Sequence, residues 1–157
     1  MAPLDDRVRR ARLVANHRRI KVTDIETRLG TRYTADTLRE LKRRFPHYRF
    51  VWIIGADNLV QMARWDRWTR IFNTVPVAVF DRPTYSYKAL ASQAAHRFSG
   101  RRLQLRQARQ LAERATPAWC FIMAARHAAS ATELRARLAR LLRIKSQSMP
   151  NWRHEGE

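Results

Sequence analysis

The sequence predicts an α/β domain built on a doubly wound parallel sheet. Short apolar runs alternate with longer segments of helical periodicity along its 157 residues, and strand alternating with helix implies parallel pairing through right-handed crossovers. Two of the apolar runs are continuous instead of alternating, as strands buried on both faces are. An apolar content of 45% with only 4 Gly and 6 Pro supplies enough core for one domain and excludes wholesale disorder.

The elements follow in order. Leu4 to Asn16 reads as a helix, Ile20-Lys-Val-Thr-Asp24 as a strand, and Thr34 to Phe45 as a helix that opens on Tyr33-Thr-Ala-Asp-Thr37. The run Phe50-Val-Trp-Ile-Ile54 and the run Val75-Pro-Val-Ala-Val-Phe80 are the two continuous strands, with short helices from Asp57 to Met62 and from Asp66 to Phe72 between them. A helix from Tyr87 to Phe98, the strand Ala118-Trp-Cys-Phe-Ile-Met123 and a last helix from Ala131 to Ile144 complete the pattern. The domain is expected to run from 1 to 145, with 146–157 as a flexible tail.

The formal charge of +19 raises nucleic acid as a partner. Only four of the 32 basic residues are Lys, however, and the Arg are scattered through every segment, so a solvated basic surface explains the charge as well. Cys120 is alone in an apolar run, which excludes an internal disulfide and suits a reducing cytoplasm. Acids at Asp5 and Asp6 stand where a signal peptide carries basic residues. No stretch approaches the roughly 20 apolar residues of a membrane span. The five histidines show no metal-ligand spacing, and no Ser/His/Asp order suggests a nucleophile.

In doubly wound sheets ligands bind beyond the carboxyl ends of the strands, which directs attention to the strand exits. Gly55 permits close backbone approach and Asp57 can accept from ribose hydroxyls, or the two form a turn and a first-turn cap. Trp65 offers a flat face for stacking and Trp68, three residues on, faces inward; simple core packing also accounts for the pair. Thr34 is placed to cap its helix, whose N–H groups can alternatively hold a carboxylate or phosphate. Ser130, Thr132 and Arg135 set two hydroxyls and a guanidinium at another helix start, a grouping that suits an oligophosphate or serves as an ordinary cap beside a surface Arg. Leu134, Leu138, Leu141 and Leu142 form an apolar stripe expected to cover the sheet.

Taken together, Tyr33-Thr-Ala-Asp-Thr-Leu38, Ile53-Ile-Gly-Ala-Asp-Asn-Leu59, Arg64-Trp-Asp-Arg-Trp68, Asp81-Arg-Pro83 and Ser130-Ala-Thr-Glu-Leu-Arg135 resemble the bacterial nicotinate-nucleotide adenylyltransferase family. The resemblance covers roughly Leu4 to Leu138, with Ala129 where the family more often has Ile. It implies a Rossmann-like fold and adenylyl transfer from ATP to nicotinate mononucleotide, giving deamido-NAD and pyrophosphate with Mg²⁺ assistance. It further implies that Gly55 and Asp57 border the adenosine, that Ser130, Thr132 and Arg135 hold the ATP phosphates, and that Arg82 faces the mononucleotide. Trp65 would stack on the pyridine ring, and Thr34 with its helix start would read the nicotinate carboxylate.

The family opens with a strand and a Gly-x-Phe-x-Pro-x-His-x-Gly-His loop that binds ATP phosphates, and no stretch here matches it; the first glycine is Gly30. The expectation is therefore a sheet missing the family's first strand and helix, with no catalytic residue assigned and an exposed strand edge. The rival classes are a non-enzymatic basic nucleic-acid-binding module, marked by steep salt dependence, and an inactive remnant.

Overall fold

The computed structural model describes residues 3–15 and 17–123. Seven α-helices and four strands are described: α1 (Leu4–Val14), α2 (Ile25–Leu29), α3 (Thr34–Arg44), β1 (Trp52–Gly55), α4 (Ala56–Gln61), α5 (Trp68–Thr74), β2 (Val77–Phe80), α6 (Ser86–Leu90), α7 (Gln93–Arg97), β3 (Arg102–Leu103) and β4 (Trp119–Ile122). The strands form one parallel sheet in the order β1-β2-β4-β3. The α/β class and parallel pairing are as the sequence predicts. The last helix, the tail, and Ser130, Thr132 and Arg135 lie outside the described residues.

Register explains the core. Val77 and Val79 stand beside Trp119 and Phe121, and Ala78 stands beside Cys120. Alternation then sends the first four, with Ile54, Ile71, Phe72, Leu59 and Met62, to one large apolar cluster, while Ala78 and Cys120 join Leu111 and Ala118 on the opposite face. Helices α3, α4 and α5 cover the first face, and a 3-10 helix, Leu105–Glu113, covers the second. Phe72 stacks on Phe98 at 4.3 Å, and the buried Trp119 Nε1 donates to Phe98 O at 2.8 Å, which satisfies the one polar atom that indole carries inward.

Three expectations are corrected here. The 20–24 segment is not a strand; Asp24 instead stands before α2 and pairs with Arg28 at 2.8 Å, one helical turn on. Its β-branched residues favour a pleated surface only where a neighbouring strand offers one. The 50–54 run is not buried on both faces, because β1 ends the sheet order and Ile53 is 65% exposed. The helix expected at 87–98 is broken in two, since the Ser92 side chain accepts from Ala95 N and so caps α7.

Dipole logic is visible in α3, which has Asp36 in its first turn and Lys42, Arg43 and Arg44 in its last. Lys42 Nζ donates to Thr74 O at 3.0 Å, fastening the end of α3 to the end of α5. Helix α1 buries none of its residues.

Candidate active site

The carboxyl ends of β1, β2 and β4 come out side by side, with Gly55 in register with Phe80 and Phe80 with Ile122. Just beyond them, Arg82 Nε lies 3.2 Å from Asp57 Oδ1. Gly55 lies between the two: a Cβ there would fall 2.8 Å from Arg82 Nε and into contact with Asp57 Oδ1. Its φ of −82° needs no glycine, so it is the close approach of these side chains that does. Asp57 Oδ1 is buried and accepts no hydrogen bond among the described residues, because the Arg82 contact has ion-pair distance without hydrogen-bond alignment. A buried acceptor left open at a strand exit can take a ligand hydroxyl. The sequence-predicted Gly55, Asp57 and Arg82 are thus brought into one cluster.

Next to Arg82, Ser86 Oγ bonds Asp81 Oδ1, closing the loop after β2 onto the start of α6. Thr84 in that loop has a φ of 73°, a region in which a β-branched residue is rarely held.

The second cluster forms at the start of α3. Tyr33, not Thr34, occupies the N-cap, in extended conformation and with no side-chain cap. Thr34 is the first helical residue, and the N–H groups of Asp36 and Thr37 turn back to Tyr33 O, both at 3.0 Å. Thr37 Oγ1 bonds both Tyr33 O and Thr31 Oγ1, so the hydroxyl that steadies this turn is Thr37's. Thr34 lines an open groove of about 550 Å³ together with Trp52, Leu38 and residues of α1 and α2. Trp52 packs edge-on against Trp65 at 5.7 Å. Trp65 is half-buried, and Trp68 meets Phe98 at 6.0 Å and 88° in the large cluster, the inward role expected of it.

One residue inside the Arg64-Trp-Asp-Arg-Trp68 motif joins these parts. Arg67 has a left-handed backbone (φ 50°) and reaches Asp66 Oδ2 at 2.7 Å and Asp36 Oδ1 at 3.0 Å. Neither composition nor periodicity foretells a positive φ at an arginine.

Residues 1–137 match the cytidylyltransferase-like family model. A probable nicotinate-nucleotide adenylyltransferase of Methylorubrum extorquens (strain PA1) is 50% identical over 137 residues, which cover 87% of this chain and 74% of that protein. The chain belongs to the nicotinate-nucleotide adenylyltransferase family. Further members with the same description are 45% identical in Ruegeria sp. (strain TM1040), over 87% of this chain and 72% of that one, and 51% identical in Gluconacetobacter diazotrophicus, over 87% and 63%. A solved structure described as Plasmodium falciparum nicotinic acid mononucleotide adenylyltransferase complexed with APC aligns with a TM-score of 0.49 at 16% identity, covering 79% of this chain and 56% of that one. Among the described residues of this adenylyltransferase family member, no helix is long and apolar enough to cross a membrane.

Proposed function

We propose that the chain transfers the adenylyl group of ATP to nicotinate mononucleotide, forming deamido-NAD and pyrophosphate in the cytoplasm. The observation that carries this reading is the strand-exit cluster, in which Gly55 leaves room for an Asp57 carboxylate whose buried oxygen awaits a donor. A ribose hydroxyl supplies that donor, and Asp57 then relinquishes part of its hold on Arg82, which is half exposed and free to turn toward the mononucleotide. Trp65 stacks on the pyridine ring, the start of α3 at Thr34 reads the carboxylate through its N–H groups, and Ser130, Thr132 and Arg135 hold the phosphates of ATP. The catalytic domain is taken to extend through residue 145.

The reaction is an in-line attack of the mononucleotide phosphate on the α-phosphorus, which calls for positioning and charge neutralisation and for no covalent protein intermediate. Mg²⁺ bound to the triphosphate would neutralise charge on the departing pyrophosphate. Asp57 stands beside Arg82 with one oxygen still open to a hydroxyl, and Asp81 bonds Ser86, so these carboxylates fit ribose and loop roles and the ion would ride on the triphosphate. The test is to incubate the chain with ATP, Mg²⁺ and nicotinate mononucleotide and to measure pyrophosphate and deamido-NAD together. Both should appear in equal amounts. Failure of the chain to bind or convert either substrate overturns the reading.

A further inference from the structure

Arg67 lies outside the strand-exit cluster and reaches from the turn before α5 to Asp36 and Tyr33 at the start of α3. Its Nε is 2.7 Å from Asp66 Oδ2 and its Nη1 is 3.0 Å from Asp36 Oδ1, thirty-one residues away in sequence. Its guanidinium carbon lies 5.8 Å from the centre of the Tyr33 ring. Two donors and the face of one planar group are therefore committed at once, a combination that a guanidinium permits and an ammonium does not. The backbone at φ 50° and ψ 33° is one that non-glycine residues adopt at a cost. This turn reverses the chain ahead of α5 and aims the side chain back across to α3.

The two ends of this bridge have distinct meanings. Tyr33 is the N-cap of α3 and Asp36 lies in its first turn, so one end holds the helix start that contains Thr34. The other end holds the turn two residues after Trp65, whose own N–H is fixed to Met62 O at 2.9 Å. Asp36 is the more sheltered partner, with its side chain 18% exposed against 40% for Arg67. Arg39 also approaches Asp36, at 3.3 Å, but it comes from the same helix and ties nothing across the site.

We propose that Arg67 is a positioning residue for the mononucleotide site, clamping the start of α3 to the Trp65 turn so that the carboxylate-reading N–H groups and the stacking face keep a fixed separation. The inference rests on the functional reading above. A pyridine ring that stacks on Trp65 presents its carboxylate at a set distance, and discrimination between nicotinate and nicotinamide depends on that distance. Loosening the clamp therefore lowers selectivity before it lowers general binding.

The test compares the full chain with Arg67→Gly, Arg67→Lys and Asp36→Asn. Glycine keeps the left-handed backbone accessible while removing the clamp. Affinities for nicotinate mononucleotide, nicotinamide mononucleotide and ATP are measured by calorimetry, with the melting temperature of each variant. Arg67→Gly should weaken nicotinate mononucleotide binding by about tenfold, the scale of a sub-ångström misplacement, with a smaller loss for the nicotinamide form and none for ATP. Arg67→Lys should recover part of the loss, since one ammonium can meet only one of the two carboxylates, and Asp36→Asn should resemble Arg67→Gly. Should Arg67→Gly fail to fold, the other two variants carry the same comparison. Unchanged selectivity in soluble variants, or equal losses for both mononucleotides that track a lowered melting temperature, overturns the positioning role alone. Failure of the unmodified chain to bind nicotinate mononucleotide overturns the functional reading and this inference with it.

Discussion

Asp57 and Arg82 face each other across the exit of β1 at 3.2 Å, and the space between them exists because residue 55 has no side chain. The atoms that an added Cβ would meet belong to side chains, not backbone. They can move aside, so Gly55→Ala should cost under about 1 kcal/mol in stability, well below the cost of a true core clash. The displaced pair should nonetheless lose its geometry, and ATP affinity should fall about tenfold, or about 1.4 kcal/mol. Isothermal calorimetry with ATP and a melting curve check both parts. Wild-type ATP affinity in a stable Gly55→Ala protein would detach this glycine from nucleotide binding.

The tryptophans separate by role. Trp65→Ala should weaken mononucleotide binding by about 1–3 kcal/mol, the scale of an aromatic stack, with much less effect on ATP. Trp68→Ala, which removes the ring packed edge-on against Phe98 in the large cluster, should cost about 3 kcal/mol of stability instead. Mononucleotide titrations and chemical denaturation of both variants give the contrast. If Trp65→Ala lost only stability, its contact with Trp52 would be its whole purpose.

Much of this was readable in the sequence, and what was not has a physical cause. Val75 to Phe80 reads as a doubly buried strand because every position is apolar, and β2 is a central strand. The 50–54 run looks the same, yet burial of a strand depends on which neighbours the topology supplies, and β1 ends the sheet order among the described residues with Ile53 exposed. Strand β3 is two residues long and α2 five, too short for periodicity to register. At the site, the sequence points to Gly55, Asp57 and Arg82, and these three meet. The N-cap of α3 lies one residue before the expected Thr34, at Tyr33, whose side chain makes no cap hydrogen bond. Arg67 and the strained Thr84 depend on local backbone geometry, which single-sequence patterns do not carry.

Cys120 supplies a pH-dependent check. Burial on β4 beside Ala78 and Leu111 raises its pKa above the ordinary thiol value of 9.0, against a smaller opposing effect of Arg102. The folded thiol therefore stays protonated where the unfolded one begins to ionise, so its contribution to stability is complete below about pH 9 and is lost as pH rises through the folded value. Alkylation of the native protein at neutral pH should be slower than that of the denatured protein by orders of magnitude. Comparable rates, followed by mass spectrometry with iodoacetamide, would mean that the β2–β4 core opens readily.

The last prediction concerns the edge of β1. Its outward row of backbone groups has no neighbouring strand among the described residues, and Ile53 stands 65% exposed on the sheet face there. An apolar, unpaired edge strand is a template for pairing with another chain. A net charge of +19 opposes close approach of two copies, but salt weakens that repulsion over about 10 Å at 0.1 M and leaves the edge intact. Self-association should therefore grow with ionic strength, the reverse of what an Arg-driven interaction with nucleic acid would show. Ile53→Lys puts a charge on the exposed position without removing a buried contact, so it should change stability by no more than about 0.5 kcal/mol while suppressing association. Light scattering of the unmodified chain and of Ile53→Lys from low to high salt decides between the two. Equal association by both would locate the sticky surface elsewhere, with the exposed Leu13 and Val14 at the end of α1 as the next positions to change.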